Sequence, residues 1–275
     1  MKIKANCKIN IGLRVVRKRA DGYHDIDTVF YPVYGLYDEL EIIRIPDSAE
    51  GIEIITNGIP LDCSPDQNLI YRCYQQMADN YPIGNKVIVT LDKHIPFGAG
   101  LGGGSSDAAH TAILLNDLFH LHLSRQQLAD EVKSLGADCP FFIFNTPCHA
   151  TGIGDELVPV DFSLAGKRLL MIKPENGVST KEAYSGLIPS GKTLGPVSNW
   201  KTWTNDFEKT VFAKHPEIEY IKKRLIESGA EYAAMSGSGS TVFGLFQYNP
   251  EGRTAADLRI LENEFASMII FNDTL

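Results

Sequence analysis

Five glycines fall within the seven positions Gly98 to Gly104, between a β-branched run, Lys86–Leu91, and an alanine-rich stretch, Ser105–Phe119. Nothing else in the chain narrows its fold as much. A strand, a glycine-rich link and a buried helix must follow one another here, because the flanking runs carry different hydrophobic patterns. Each glycine gives up about 0.5–1 kcal/mol more than alanine on ordering, so the cluster costs several kcal/mol. A simple turn does not require so many. Without Cβ atoms, backbone N–H groups can converge on one point and phosphate oxygens can approach closely. The helix opening near Ser105 would add the positive end of its dipole. The candidate phosphate-binding loop is therefore Pro96, Phe97, Gly98, Ala99, Gly100, Leu101, Gly102, Gly103, Gly104, Ser105 and Ser106. The two serine hydroxyls are available to a phosphate or to Mg²⁺.

The loop lacks Gly-Lys-Ser/Thr, so it is not a Walker A loop and its positive charge must come from elsewhere. Gly98, Gly100 and Gly103 also satisfy a dinucleotide pattern. That alternative, an oxidoreductase, needs a strand after the helix. The residues that follow instead predict a second helix.

The 275 residues carry 26 Lys and Arg against 34 Asp and Glu, a net charge of −8. This argues against a general nucleic-acid binder, which usually shows a basic face. Five cysteines (Cys7, Cys63, Cys73, Cys139 and Cys148) have no Cys-x-x-Cys spacing. Neither a disulfide framework nor a structural zinc site is expected. No apolar run approaches the ~20 residues needed to span a bilayer, and no signal-peptide core precedes Asn10. We expect a cytoplasmic protein with no membrane partner.

Strands are predicted at Lys2–Val15 (as a strand or hairpin), Thr28–Tyr34, Glu39–Ile45, Glu50–Thr56, Pro140–Asn145, His149–Gly152, Arg168–Lys173, Glu231–Met235, Thr241–Gln247 and Met268–Phe271. Helices are predicted at Asp66–Asp79, capped by Asp66 or Ser64, and at Ser105–Phe119. Further helices are expected at Ser179–Tyr184, Pro216–Ser228 and Gly252–Glu264. Ser124 with Gln127 forms a capping-box pattern opening a helix to about Leu135, with Gly136 as its stop. Strands come in runs, which predicts an α+β fold. A Pro/Gly/Ser-rich shift near Val158–Gly166 marks a boundary, giving domains 1–158 and 159–275.

The loop PFGAGLGGGSSDAA resembles the second motif of the GHMP kinases, a family that includes galactokinase, homoserine kinase, mevalonate kinase and phosphomevalonate kinase. Lys4–Asn10 is similar to the first motif and Met235–Gly244 to the third, in the family's order. Three details are similar to the branch whose substrate carries a cytidine diphosphate group. They are Lys8-Ile9-Asn10, Arg19–His24 (RADGYH) and Gly136–Phe141 (GADCPF). The resemblance implies an ATP-dependent kinase with Mg²⁺, acting on a small-molecule alcohol. It also implies an N-terminal domain like ribosomal protein S5 domain 2, a ferredoxin-like C-terminal domain, and an active site in the cleft between them. Homoserine or mevalonate is the alternative acceptor within the family. A tyrosine–histidine pair suits a flat base better than a small aliphatic alcohol.

Roles follow from the same resemblance. Asp138 is the expected general base. Lys8 is the cation beside it, which favours the charged form of the carboxylate and draws charge from the attacking oxygen. Asn10, two residues along the strand from Lys8, is expected on the substrate. Tyr23 is expected to stack on the base, His24 to bond its edge, and Tyr184 to close its other side. Asn68 and Lys93 are expected near the adenosine. Gly237, Ser238 and Gly239 are expected to let backbone approach the substrate phosphates, with Ser238 and Thr241 as donors.

Overall fold

A computed structural model describes residues 1–60, 63–247 and 254–275. The chain forms two compact units that interleave in sequence. One comprises Met1–Lys8, Leu36–Phe97 and Gly102–Thr146, the other Ile9–Gly35, Gly98–Leu101 and Pro147–Leu275. Helix and sheet are mixed in both. Two long strands, β1 (Lys2–Lys18) and β2 (His24–Arg44), contribute residues to each.

In the first unit, β4 (Lys86–Lys93) lies between two partners. It runs antiparallel to the C-terminal part of β2, with Glu39 opposite Asp92 and Arg44 opposite Val87. It runs parallel to β3 (Gly51–Gly58), with Gly51 opposite Lys86. Alternate residues of β4, Val87, Val89, Leu91 and Lys93, are buried. The α-helices of this unit among the described residues are α1 (Leu69–Asn80), α2 (Gly103–Leu118), α3 (Arg125–Val132) and α4 (Cys139–Phe144). Helix α2 packs on α1, α3 and α4. Its alanines (Ala108, Ala109, Ala112) are fully buried, which is what lets three helices approach it.

In the second unit, Thr28–Phe30 of β2 pairs antiparallel with β5 (Cys148–Thr151), and β5 with β6 (Glu156–Pro159). A separate antiparallel sheet contains β7 (Lys167–Ile172), β8 (Tyr232–Met235), β9 (Val242–Gln247) and β10 (Ile269–Thr274), in the order β10-β7-β9-β8. Its helices are α5 (Thr180–Tyr184), α6 (Glu208–Lys214), α7 (Pro216–Glu227) and α8 (Thr254–Glu264). Leu13, Val15 and Ile26 share one apolar core with Leu170, Ile172, Ile218, Leu225 and Leu261.

Several expectations are corrected. Thr28–Tyr34 and Glu39–Ile45 are one strand, not two. Gly35 stays extended, and the room a Cβ would take is filled by the Phe271 ring at 2.7 Å. Pro140–Asn145 is helical. A short apolar run reads equally as a buried strand or a buried helix, and Pro140 in the first turn favours the latter. Helix α1 is capped by Asn68, whose side chain accepts from the Ile70 N–H at 2.9 Å, because residues 65–67 make a 3₁₀ turn of their own. The Ser124–Gln127 capping box is present, but α3 ends at Val132 and Gly136 is not in the left-handed conformation of a helix stop. Sequence reading missed β6 and α6. The first residues of the expected Gly252–Glu264 helix, 252 and 253, lie outside the described residues.

Candidate active site

Helix α2 opens where the glycine loop ends. Gly102 holds the N-cap position at φ 72°, and the first helical bond runs from the Ser106 N–H to the Gly102 carbonyl at 2.8 Å. The N–H groups of Gly103, Gly104 and Ser105 precede that bond, so they have no partner inside the helix. They form the positive end of a 16-residue dipole. Gly102 is glycine for two reasons, its positive φ and its neighbours. A Cβ there would stand 2.9 Å from the Phe142 ring and 3.3 Å from Lys8 Cε.

Lys8 therefore reaches the loop end of α2 in the first unit. Its side chain is 4% exposed and its Nζ lies 3.4 Å from Asp138 Oδ2. The Asp138 carboxylate is 30% exposed and makes no hydrogen bond to the start of α4, although it occupies the cap position. A carboxylate left uncapped, beside a buried ammonium and open to solvent, is equipped to accept a proton.

Three expected ligand contacts of this unit come out differently. Lys93 does not present its ammonium to solvent: it is 1% exposed, donates to Asp38, and lies 2.8 Å from Asp107 Oδ2. Falling in phase with Val87, Val89 and Leu91, its side chain is carried into the core. The Ser106 hydroxyl is also turned inward and donates to the Asn6 carbonyl at 2.7 Å, so it is not placed to hold Mg²⁺. Ser105, partly exposed, remains. Asn68 spends its carbonyl oxygen on the α1 cap, which leaves the amide Nδ2 for a ligand.

Residues Gly98–Leu101 belong to the second unit, where they meet the third motif. The Ser236 hydroxyl donates to the Gly100 carbonyl at 2.9 Å, and the Ser240 and Thr241 N–H groups donate to the Gly98 and Ala99 carbonyls at 3.3 Å. A Cβ on Gly100 would lie 1.9 Å from the Ser236 carbonyl oxygen. Gly237 and Gly239 take positive φ values of 55° and 94°. Asn10 donates to Thr28 Oγ1 at 3.0 Å and accepts from Ser236 Oγ at 3.5 Å. Ser238 is partly exposed, within 3.3 Å of the Thr180 hydroxyl. The Thr241 hydroxyl is fully buried, so its expected role as a donor to substrate is not what the fold allows.

Sequence reading overlooked Asn205-Asp206-Phe207-Glu208. Asn205 Nδ2 donates to the Met235 and Gly237 carbonyls at 2.7 and 2.8 Å, and Glu208 accepts from the Met235 N–H at 2.9 Å. Asp206 accepts from Arg14 and from the Val15 N–H. Asn205 and Glu208 hold the third motif in shape, and Asp206 ties the same segment to β1. The only signal was three polar residues crowded around one aromatic, ahead of an unrecognised helix.

The His24 and Tyr184 rings stack on each other, centroids 4.4 Å apart and planes 20° from parallel. Tyr184 also meets Phe207 edge-on at 4.7 Å. A base cannot lie between His24 and Tyr184 at that spacing, so Tyr184 backs His24 and does not close an open slot. Tyr23, 61% exposed, is unobstructed. Burial, and then Lys18, push the His24 pKa below its ordinary value, which keeps the ring neutral and able both to donate and to accept.

Among the described residues no group of three His, Cys, Asp or Glu is arranged to hold a metal. A Mg²⁺ ion bound with a triphosphate keeps most of its ligands as phosphate oxygens and water. The single hydroxyl of Ser105 fits that mode.

Two family models match the chain, described as the N-terminal domain of GHMP kinases over residues 68–146 and the C-terminal part of GHMP kinases over residues 191–264. A Bacteroides fragilis protein named 4-diphosphocytidyl-2-C-methyl-D-erythritol kinase is 48% identical over 88% of this chain and 90% of its own length. A protein of the same name from Thermodesulfovibrio yellowstonii is 39% identical over 92% of each. A crystal structure titled 4-(cytidine 5'-diphospho)-2C-methyl-D-erythritol kinase is similar with a TM-score of 0.80 and 29% identity, covering 100% of this chain and 98% of the other. A Methanococcus jannaschii mevalonate kinase has a TM-score of 0.68 at 15% identity, covering 100% and 98%, a likeness of fold alone.

Proposed function

Because the chain belongs to the GHMP kinases, a two-domain family of mixed helix and sheet, we propose that it phosphorylates the 2-hydroxyl of 4-diphosphocytidyl-2-C-methyl-D-erythritol with ATP, in the non-mevalonate route to isoprenoid precursors. The names of the relatives support the acceptor. The observation that carries the chemistry is the 3.4 Å pair of Lys8 and Asp138 in the unit that also holds the N-terminus of α2.

Asp138 takes the hydroxyl proton as the substrate oxygen attacks the γ-phosphorus, and the bond to the bridging oxygen of ADP breaks. Lys8 steadies the negative charge that builds on the attacking oxygen. The N–H groups of Gly103, Gly104 and Ser105 receive the phosphates, which needs no loop lysine. Ser105 would be the chain's own ligand to a Mg²⁺ ion bound with the triphosphate, which would further neutralise phosphate charge. Asn68 offers Nδ2 to the adenine. Tyr23 stacks on the cytosine, His24 bonds its edge with Tyr184 behind it, and Asn10, Gly237, Ser238 and Gly239 face the diphosphate end.

The proposal includes the division into an ATP-binding domain, 1–158, like ribosomal protein S5 domain 2, and a ferredoxin-like domain, 159–275, with substrates in the cleft the family resemblance implies. It includes a cytoplasmic location and no nucleic-acid partner.

Asp138→Asn tests it. Turnover of the diphosphocytidyl substrate should fall about 10²–10⁴-fold in a coupled ADP-release assay. Affinity for ADP should hold within about two-fold, since the group acts in the transition state. A fully active variant would remove Asp138 as base. Wild-type turnover of mevalonate or homoserine equal to that of the cytidyl substrate would overturn the acceptor.

A further inference from the structure

Beneath the start of α2 lies a group of charges that the reaction above leaves unused. Lys93 enters from β4, and Asp38 enters from β2 in phase with buried Leu40 and Ile42. Asp107 comes from α2 itself. All three side chains are at least 95% buried. Lys93 donates to both carboxyl groups, and the second oxygen of Asp38 accepts from the N–H groups of His94 and Ile95 at 2.6 and 2.8 Å. The backbone entering the glycine loop and the helix leaving it are thus tied through one ammonium. Contact with the helix start is close: a Cβ on Gly103 would stand 3.1 Å from Lys93 Nζ and 2.8 Å from Ile95 Cγ2.

Burying ions costs several kcal/mol each, and an apolar trio would fill the same space more stably. Nor does the trio supply the positive charge missing from the loop, since one cation faces two carboxyl groups. Its distinctive product is geometry. Resting on the kinase reading, we propose that Asp38, Lys93 and Asp107 are positioning residues for phosphoryl transfer, fixing the first turn of α2 at the height where its N–H groups receive the phosphates of ATP.

Asp107 Oδ1 is buried without a hydrogen-bond partner among the described residues, so the place of Asp107 in the trio rests on Oδ2 and Lys93.

Calorimetric titration with ADP, alongside steady-state kinetics, tests the assignment on the whole chain. Lys93→Met should raise the ADP Kd and the KM for ATP on the order of ten-fold, while the KM for the alcohol moves less than about three-fold. Asp107→Asn, which keeps the shape but exchanges the charged bond to Lys93 for a weaker neutral one, should raise the ADP Kd about three-fold or more. A folded Lys93→Met with wild-type ADP affinity would overturn the proposal. If Lys93→Met does not fold, Asp107→Asn decides, and wild-type ADP affinity in that variant would overturn it. A wild-type protein that binds ADP but does not phosphorylate the cytidyl alcohol would sink the kinase reading and leave the ADP comparisons interpretable.

Discussion

His110 shows how one buried side chain couples stability to pH. Its Nδ1 lies 2.8 Å from the Ser106 carbonyl, which can only accept, so Nδ1 carries the proton and donates. Burial holds the imidazole pKa below its ordinary value, with the Ser106 bond pulling upward. The unfolded chain, with a pKa near 6.5, takes up a proton on acidification that the folded chain resists. Stability contributed by the neutral ring is present above about pH 6.5 and lost as pH falls below it. Melting temperature should drop between pH 7 and pH 5, and His110→Asn should shallow that slope. An identical slope in the variant would assign it to other groups. At this scale the sequence was partly legible. Lys8 and Asp138 were found by motif and are paired. Lys93 was misread although alternation of Val87, Val89 and Leu91 already pointed its side chain inward. The partner that makes such a burial tolerable, Asp38, lies 55 residues away, beyond any local pattern.

Between strand and helix, the glycine loop owes its shape to different demands at different positions. Gly98 has φ 58° with open space around it, whereas Gly100 has φ 73° and the Ser236 carbonyl 1.9 Å from where a Cβ would be. Gly98→Ala should cost only the left-handed strain, about 1–2 kcal/mol. Gly100→Ala adds a backbone clash that cannot be relieved by a rotamer, and should cost at least about 2 kcal/mol more. Urea unfolding of both variants measures the difference. Equal losses would mean the third motif can move away from Gly100 freely. The glycine cluster announced the loop, yet nothing local distinguished these two residues. Helix α4 was misread for a related reason: its run Cys139–Ile143 is buried throughout, so neither period 2 nor period 3.6 appears.

For the molecule as a whole, the interleaving of the two units governs how it folds. Leu13, Val15 and Ile26, near the N-terminus, are buried against residues from 170 to 265. Three such side chains contribute roughly 5 kcal/mol or more, as much as the entire stability of many domains. Fragment 159–275, expressed alone, should therefore lack a cooperative thermal transition, because it is missing the β1 and β2 residues of the second unit's core. A sharp transition in that fragment, followed by circular dichroism, would contradict this. The linear boundary near residue 158 is where composition changes. The compact units depend instead on strand residues that return to cores far along the chain.

What the sequence determined by itself is whatever short-range chemistry encodes: the glycine loop ahead of a helix, the capping box at Ser124, the order of three motifs and the kinase family they mark. Tertiary structure alone decided that the Ser106 and Thr241 hydroxyls turn inward, and how His24 and Tyr184 came to stack. The physical reason is burial. Lys93 and the Ser106 hydroxyl are accepted in the interior because partners from distant segments, Asp38 and the Asn6 carbonyl, meet them there, and that pairing exists only once the chain has folded.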